Sequence, residues 1–156
     1  MKILVLSDSH GAVSNMVKAV EACKPDEIFH LGDCWRDAEK LREHFPEIPM
    51  VQVPGNCDYR STEKEELLLE REGCRLLLCH GHTYGVKFSL VNAGFAAEEK
   101  NVDVFLFGHT HCPLVDVRMH SLFVNPGSIG GYRPTYGILM LHEGRADAAI
   151  QVLGED

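Results

Sequence analysis

An α/β fold built around a parallel sheet is predicted by three features of the chain. Continuous apolar runs at 2–6, 26–31 and 50–53 read as strands buried on both faces. Between them apolar residues recur at helical spacing, so strand and helix alternate, the pattern of parallel β-α-β units. Short polar clusters follow the apolar runs: DSH at 8–10, GD at 32–33, GNCD at 55–58, CHGH at 79–82 and GHTH at 108–111. Open α/β sheets hold their ligands at the carboxyl ends of strands, where these clusters fall.

The 156 residues are read as one domain spanning 1–156, long enough to bury roughly two thirds of the unfolded surface without a disulfide or structural metal. A bound metal would therefore be functional. A net charge of −8 disfavours affinity for nucleic-acid backbones, which comes from many Lys and Arg phosphate contacts, and leaves small anions held by metal ions as candidate partners. The six cysteines form no CxxC pair. MKILVLSDSHG turns polar too soon for a signal peptide or membrane span. The expectation is a reduced, cytoplasmic protein with no membrane contact, in which Cys57 and Cys79 are ordinary thiols.

Lys2 to Leu6 is the first strand, and it opens onto Asp8 and His10. If the extended conformation persists, these two point to one face roughly 6.5–7 Å apart at the backbone, able to chelate one ion. Val13, Met16, Val17, Val20 and Cys23 give the first helix, stopped by Lys24-Pro25. Asp26 to Leu31 is the second strand. Gly32 then turns the backbone sharply and leaves Asp33 exposed at the strand end, where one carboxylate can bridge two cations. Trp35, Ala38, Leu41 and Phe45 line a second helix; His30 reads as a packed strand residue and His44 as a solvated one.

Met50 to Val53 is a third strand ending at Pro54 to Asp58. Asn56 offers a neutral oxygen ligand, though a simple Gly-Asn turn competes with that reading. Asp58 orients a ligand or caps the next segment. Glu65 to Arg71 and Cys74 to Cys79 form a hairpin through Glu72-Gly73. His80, followed by Gly81, is well placed as a ligand, whereas His82 reads as a loop or substrate-contacting residue. Val86, Leu90, Ala93, Gly94 and Ala97 predict a third helix, and Val102 to Phe107 a strand.

His109 and His111 fall on one face if extended, with a separation that suits one ion or a pair about 3.5–4 Å apart. Leu114 to Met119 pairs with Leu122 to Val124, and Tyr136 to His142 with Ala146 to Leu153. The Gly-rich stretch 125–131 between these hairpins offers backbone amides to an anion, though a plain inter-strand loop is the safer reading. His120 and His142 read as surface residues.

Besides Asp58 and His82, the clusters together hold two Asp, four His and one Asn. With Asp33 shared, seven side chains and a bridging water satisfy two divalent ions at about four to five ligands each. Oxygen and nitrogen donors without obligatory sulfur fit Mn²⁺, Fe²⁺, Zn²⁺ or Ni²⁺.

The ordered set DSH, GD, GNCD, CHGH and GHTH resembles the calcineurin-like metallophosphoesterase superfamily, in particular its small single-domain bacterial and archaeal phosphodiesterases. The resemblance runs from Ile3 to about Ser128. It implies a four-layer αββα sandwich of two mixed β-sheets flanked by helices. It also implies that Asp8, His10 and His111 hold one ion, that Asn56, His80 and His109 hold the other, and that Asp33 bridges.

The activity implied is hydrolysis of small phosphodiesters by a two-metal mechanism with a metal-bridging hydroxide. Asp33, Asn56 and His10 are the catalytic residues, and Asn56, His82 and Cys57 meet substrate. Mn²⁺ leads the candidate metals, with Ni²⁺, Zn²⁺, Fe²⁺ or Mg²⁺ as alternatives. Many superfamily members carry His directly after the Asn; here Cys57, a poor general acid, predicts slower turnover or a bias to good leaving groups.

The alternatives are a phosphomonoesterase and an interaction scaffold on the same fold, since the superfamily includes a trafficking-complex subunit with little or no catalysis. A complete ligand set argues against the scaffold. Hairpin edges make a homodimer or homotetramer a further expectation.

Overall fold

The computed structural model describes residues 1–58 and 63–154. Thirteen elements follow in order: β1 (Lys2–Leu6), α1 (Val13–Cys23), β2 (Glu27–His30), α2 (Trp35–His44), β3 (Met50–Gln52), β4 (Glu66–Arg71), β5 (Cys74–Cys79), α3 (Val91–Glu99), β6 (Val104–Leu106), β7 (Leu114–Arg118), β8 (Ser121–Asn125), β9 (Thr135–His142) and β10 (Arg145–Val152). They build two five-stranded sheets, ordered β10-β9-β1-β2-β3 and β4-β5-β6-β8-β7. In the first, β1, β2 and β3 run parallel and the β9–β10 hairpin adds antiparallel to β1. In the second, β5, β6 and β8 are parallel, and β4 and β7 add as antiparallel edges.

Alternation along each strand explains why the runs are apolar throughout. Ile3, Val5, Phe29 and Leu31 point between the sheets, where they meet Leu76, Leu78, Val104, Leu106 and Val124. Leu4, Leu6 and Ile28 point the other way, onto Met16, Ala19 and Val20 of α1 and Ala38 and Leu41 of α2. Leu77, Phe105 and Phe123 likewise face outward from the second sheet onto Ala93, Ala96 and Ala97 of α3. The central parallel strands are thus covered on both faces while the edge strands β4, β7 and β10 keep exposed positions, and the αββα sandwich that the resemblance implies is the observed architecture.

One element differs from expectation. The helix expected from Val86 onward starts only at Val91, after a short 3-10 turn at His82–Tyr84 that Gly85 ends at φ +62°. Val86 is apolar because it is buried with Cys79, Phe107 and α3, and its match to the helical period is coincidental. Among the described residues no helix is long and apolar enough to cross a membrane, and all six cysteines are free.

Candidate metal centre

The parallel strands of both sheets deliver their polar clusters to one end of the sandwich. Asp8 and His10 follow β1, Asp33 follows β2, Asn56 follows β3, His80 follows β5, and His109 and His111 follow β6. The loops interlock: Asp8 N–H donates to Gly32 O (2.9 Å), Ser9 N–H to Asp33 O (2.6 Å) and Gly108 N–H to His80 O (2.8 Å).

The extended geometry expected for the DSH and GHTH segments is not what forms. Asp8, His10, Asp33, His109 and His111 all take positive φ, between 42° and 71°. Non-glycine residues enter this region at a cost of about 1–3 kcal/mol each, and strain of this kind gathers at functional sites. The left-handed kinks still bring Asp8 and His10 together, and they part the two histidines of GHTH. His109 turns to His80, with Nδ1 3.2 Å from His80 Nε2, while His111 turns to Asp8, its Nε2 3.2 Å from Oδ1.

Asp8 is fully buried. Its Oδ2 accepts from Ser7 Oγ at 2.7 Å and from His109 N–H at 3.1 Å. Its Oδ1 has no hydrogen-bond partner, yet His111, His80 and His10 turn their Nε2 atoms to it at 3.2, 3.7 and 3.9 Å. A buried carboxylate oxygen without a donor, ringed by imidazole nitrogens, is the donor set of a cation site. Among the described residues two groups of ligand atoms each lie within 4.8 Å of one another: Asp8 with His10 and His111, the two histidines exposed, and Asp8, Asp33 and His80, wholly buried. Asp8 is common to both. Asp33, the expected bridge, belongs to the deeper group, with Oδ2 3.5 Å from His80 Nε2.

The surrounding hydrogen bonds set which atoms are free to ligate. His80 Nδ1 donates to Leu31 O at 2.7 Å, which fixes the tautomer and leaves the Nε2 lone pair directed at the carboxylates. Burial, then the neighbouring His80 and Lys87, push His109 down to about 4, so it is neutral, the ligating form, near pH 7. Burial opposes ionisation of Asp33, but the electrostatic influence of the neighbouring His80 and hydrogen bonding from Cys57 outweigh it and lower its pKa. Gly55 lies against Asp33 so closely that a Cβ there would strike Oδ1.

Asn56 and Cys57 stand exposed at the edge of the centre. The Asn56 amide nitrogen lies 3.6 Å from Cys57 Sγ, and Cys57 N–H donates to Asp33 Oδ1 at 3.0 Å. Loss of surrounding water, then the hydrogen bond and charge of Asp33, raise the Cys57 thiol. His82 sits beside His80 and His109, with ring centroids 5.6 and 6.1 Å away. Burial lowers its pKa, and its Nε2 lies 3.9 Å from Glu65.

Two supports lie beneath the ligands. Asp58, read as orienting or capping, accepts N–H groups from Asp33 (3.1 Å), Trp35 (2.8 Å) and Gly55 (2.8 Å), tying the GD loop to the GNCD loop. The second support escaped the sequence reading. His30 Nδ1 accepts from Gly32 N–H, so its Nε2 donates to Ser9 Oγ (3.1 Å), which donates to Asp37 Oδ2 (2.8 Å). Asp37 also accepts Gly11 N–H at 2.6 Å. The available signal was a carboxylate in the first turn of a helix beside the core position Ala38.

The profile of the calcineurin-like phosphoesterase superfamily domain matches residues 1–144. The chain belongs to this superfamily. It is 38% identical over 133 residues to the probable metallophosphoesterase YsnB of Bacillus subtilis, covering 83% of this chain and 75% of YsnB. It is 28% identical over 169 residues to the phosphodiesterase YfcE of Escherichia coli, covering 89% and 87% of the two chains. In fold it is similar to Entamoeba histolytica Vps29 solved with Zn²⁺, at a TM-score of 0.77 with 99% and 100% of the chains covered and 18% identity. The family implies divalent metals and phosphoester hydrolysis, and the histidine and carboxylate cluster is where such metals fit.

Proposed function

We propose that this protein is a phosphodiesterase that hydrolyses small phosphodiesters with two divalent cations, Mn²⁺ first among them. The observation that carries the reading is the buried, unpartnered Asp8 Oδ1 faced by three imidazole nitrogens. Asp8, His10 and His111 would hold one ion, and Asn56, His80 and His109 the other, with Asp33 between them. Such ions, when bound, lower the pKa of coordinated water from 15.7 towards about 7 and offset charge on the phosphoryl oxygens.

The chain's own part is placement. Ser7 and the His109 amide hold one Asp8 oxygen so that the other faces the ligand nitrogens. Leu31 O holds the His80 tautomer, and Asp58 fixes the backbone on either side of Asp33. Cys57 keeps its proton on Sγ at neutral pH, and neutral His82 lines the approach of the substrate.

The test is hydrolysis of bis(4-nitrophenyl) phosphate and of 4-nitrophenyl phosphate by metal-stripped protein, with Mn²⁺, Ni²⁺, Zn²⁺ and Mg²⁺ restored separately. The expected result is metal-dependent hydrolysis that favours the diester at least tenfold and is lost in Asp33→Asn. A preference for the monoester would make the protein a phosphomonoesterase. Tight binding of two ions with neither ester hydrolysed would favour the interaction role on the same fold.

A further inference from the structure

β7 ends the second sheet, with no strand beyond it among the described residues. The hydrogen bonds of its neighbour β8 show which main-chain groups it leaves open. Leu122 N–H donates to Asp103 O (2.8 Å) and Val124 O accepts from Phe107 N–H (3.0 Å), so both residues turn their main-chain groups to the β6 side. Their partners across the ladder are Val117 and Val115. Because antiparallel pairs alternate between bonded and non-bonded, these two valines turn their own N–H and C=O groups to the open edge.

An edge of this kind templates another strand unless it is kinked or guarded by Pro or Lys. Leu114–Arg118 contains neither residue and pairs with β8 without a bulge. Apolar side chains accompany the open groups: Val117 and Met119 are 69% and 70% exposed, and Val115 is 39% exposed. On the other face of the strand Asp116 and Arg118 form a half-exposed ion pair, Oδ2 to Nε at 3.1 Å.

The order of these residues selects an occupant. Two copies related by a two-fold axis pair residue i with residue j and j with i. In an antiparallel ladder the axis then lies at one residue that faces its own copy. An axis at Asp116 sets two carboxylates against each other. An axis at Val117 sets Asp116 against Arg118 of the second copy, twice by symmetry, and Val115 beside Met119. The other edge of this sheet fails the same test. In β4 an axis at Leu68 opposes Glu66 to Glu70, and one at Leu69 opposes Glu66 to Glu72.

We propose that β7 is a homodimer interface, at which two copies of this chain pair antiparallel about Val117 and join their five-stranded sheets edge to edge. The occupant is a second copy because the charges of the strand are complementary to themselves in this register. An edge contact of this kind is small, so the dimer is a micromolar one. The proposal stands apart from the phosphodiesterase reading and does not depend on it.

The test is sedimentation velocity of the metal-free chain at about 1, 10 and 100 µM. Wild type is compared with Val117→Pro, Asp116→Arg, Arg118→Asp and the double variant Asp116→Arg with Arg118→Asp. The wild type is expected to dimerise across this range. Val117→Pro removes an edge N–H that β8 does not use, so it keeps the fold and stays monomeric. Each charge reversal alone brings like charges together and weakens the dimer about tenfold, and the double variant, which exchanges the two charges, restores it.

A wild type that is monomeric at about 100 µM, or a dimer that survives Val117→Pro, overturns the proposal. So do single reversals that dimerise like wild type, or a double variant no better than they are. Unchanged circular dichroism and thermal unfolding of the reversed variants show that a lost dimer reports the edge and not the fold.

Discussion

Burying a carboxylate oxygen without a donor costs about 1–3 kcal/mol or more, and Asp8 Oδ1 is buried in that state. A fold accepts such an atom where a cation binds it in use. His30 is the opposite case, fully buried and satisfied at both ring nitrogens by Gly32 and Ser9. Burial, opposed by Asp8 and Asp37, lowers its pKa to about 4, against roughly 6.5 in the unfolded chain. Between those values the unfolded chain takes up a proton that the folded one does not. Stability is therefore complete above about pH 6.5 and declines as the pH falls towards 4, by about 3 kcal/mol. Urea unfolding of metal-free protein at pH 7, 5.5 and 4.5 should show this decline in the wild type and a shallower one in His30→Gln. Equal slopes would remove His30 as the cause.

At the scale of the element, the loops carry the chemistry and the strands aim them. Asp58 is the clearest fastening, since its carboxylate accepts three main-chain N–H groups from two loops. Asp58→Ala is expected to cost about 3 kcal/mol, from donors left without an acceptor, and to weaken metal binding although Asp58 is not itself a ligand. Asp58→Asn, which keeps one acceptor oxygen, should lose less of both. Denaturant midpoints and metal titration of the two variants check this, and unchanged metal affinity in Asp58→Ala would limit the residue to stability.

Periodicity made the strands, the hairpins and two of the three helices legible, because burial on both faces leaves a continuous apolar run and burial on one leaves a stripe. It carried α3 too far upstream, since Val86 is buried outside any helix. The candidate ligands were legible as residue types at strand ends. Their conformations were not, because Asp8, His10, His109 and His111 are held at positive φ by contacts between loops, which residue type does not encode. The Ser9–Asp37 relay was hidden for the same reason: its partners are 28 residues apart.

Across the whole molecule, two sheets packed face to face present the ends of their parallel strands at one place, so residues from Asp8 to His111 converge there. Arg71 of β4 joins the sheets at the side, reaching Glu27 of β2 with Nε–Oε1 at 2.8 Å and Nη2–Oε2 at 3.1 Å. This architecture, more than any single loop, gathers the carboxylates and histidines of the proposed two-cation centre. The most direct test is the number of Mn²⁺ ions bound per chain, by titration calorimetry and elemental analysis of the wild type, Asp33→Asn and His80→Ala. The account predicts two ions in the wild type, loss of both in Asp33→Asn, and loss of mainly one in His80→Ala. A single ion in the wild type, or equal and independent losses in the two variants, would contradict it.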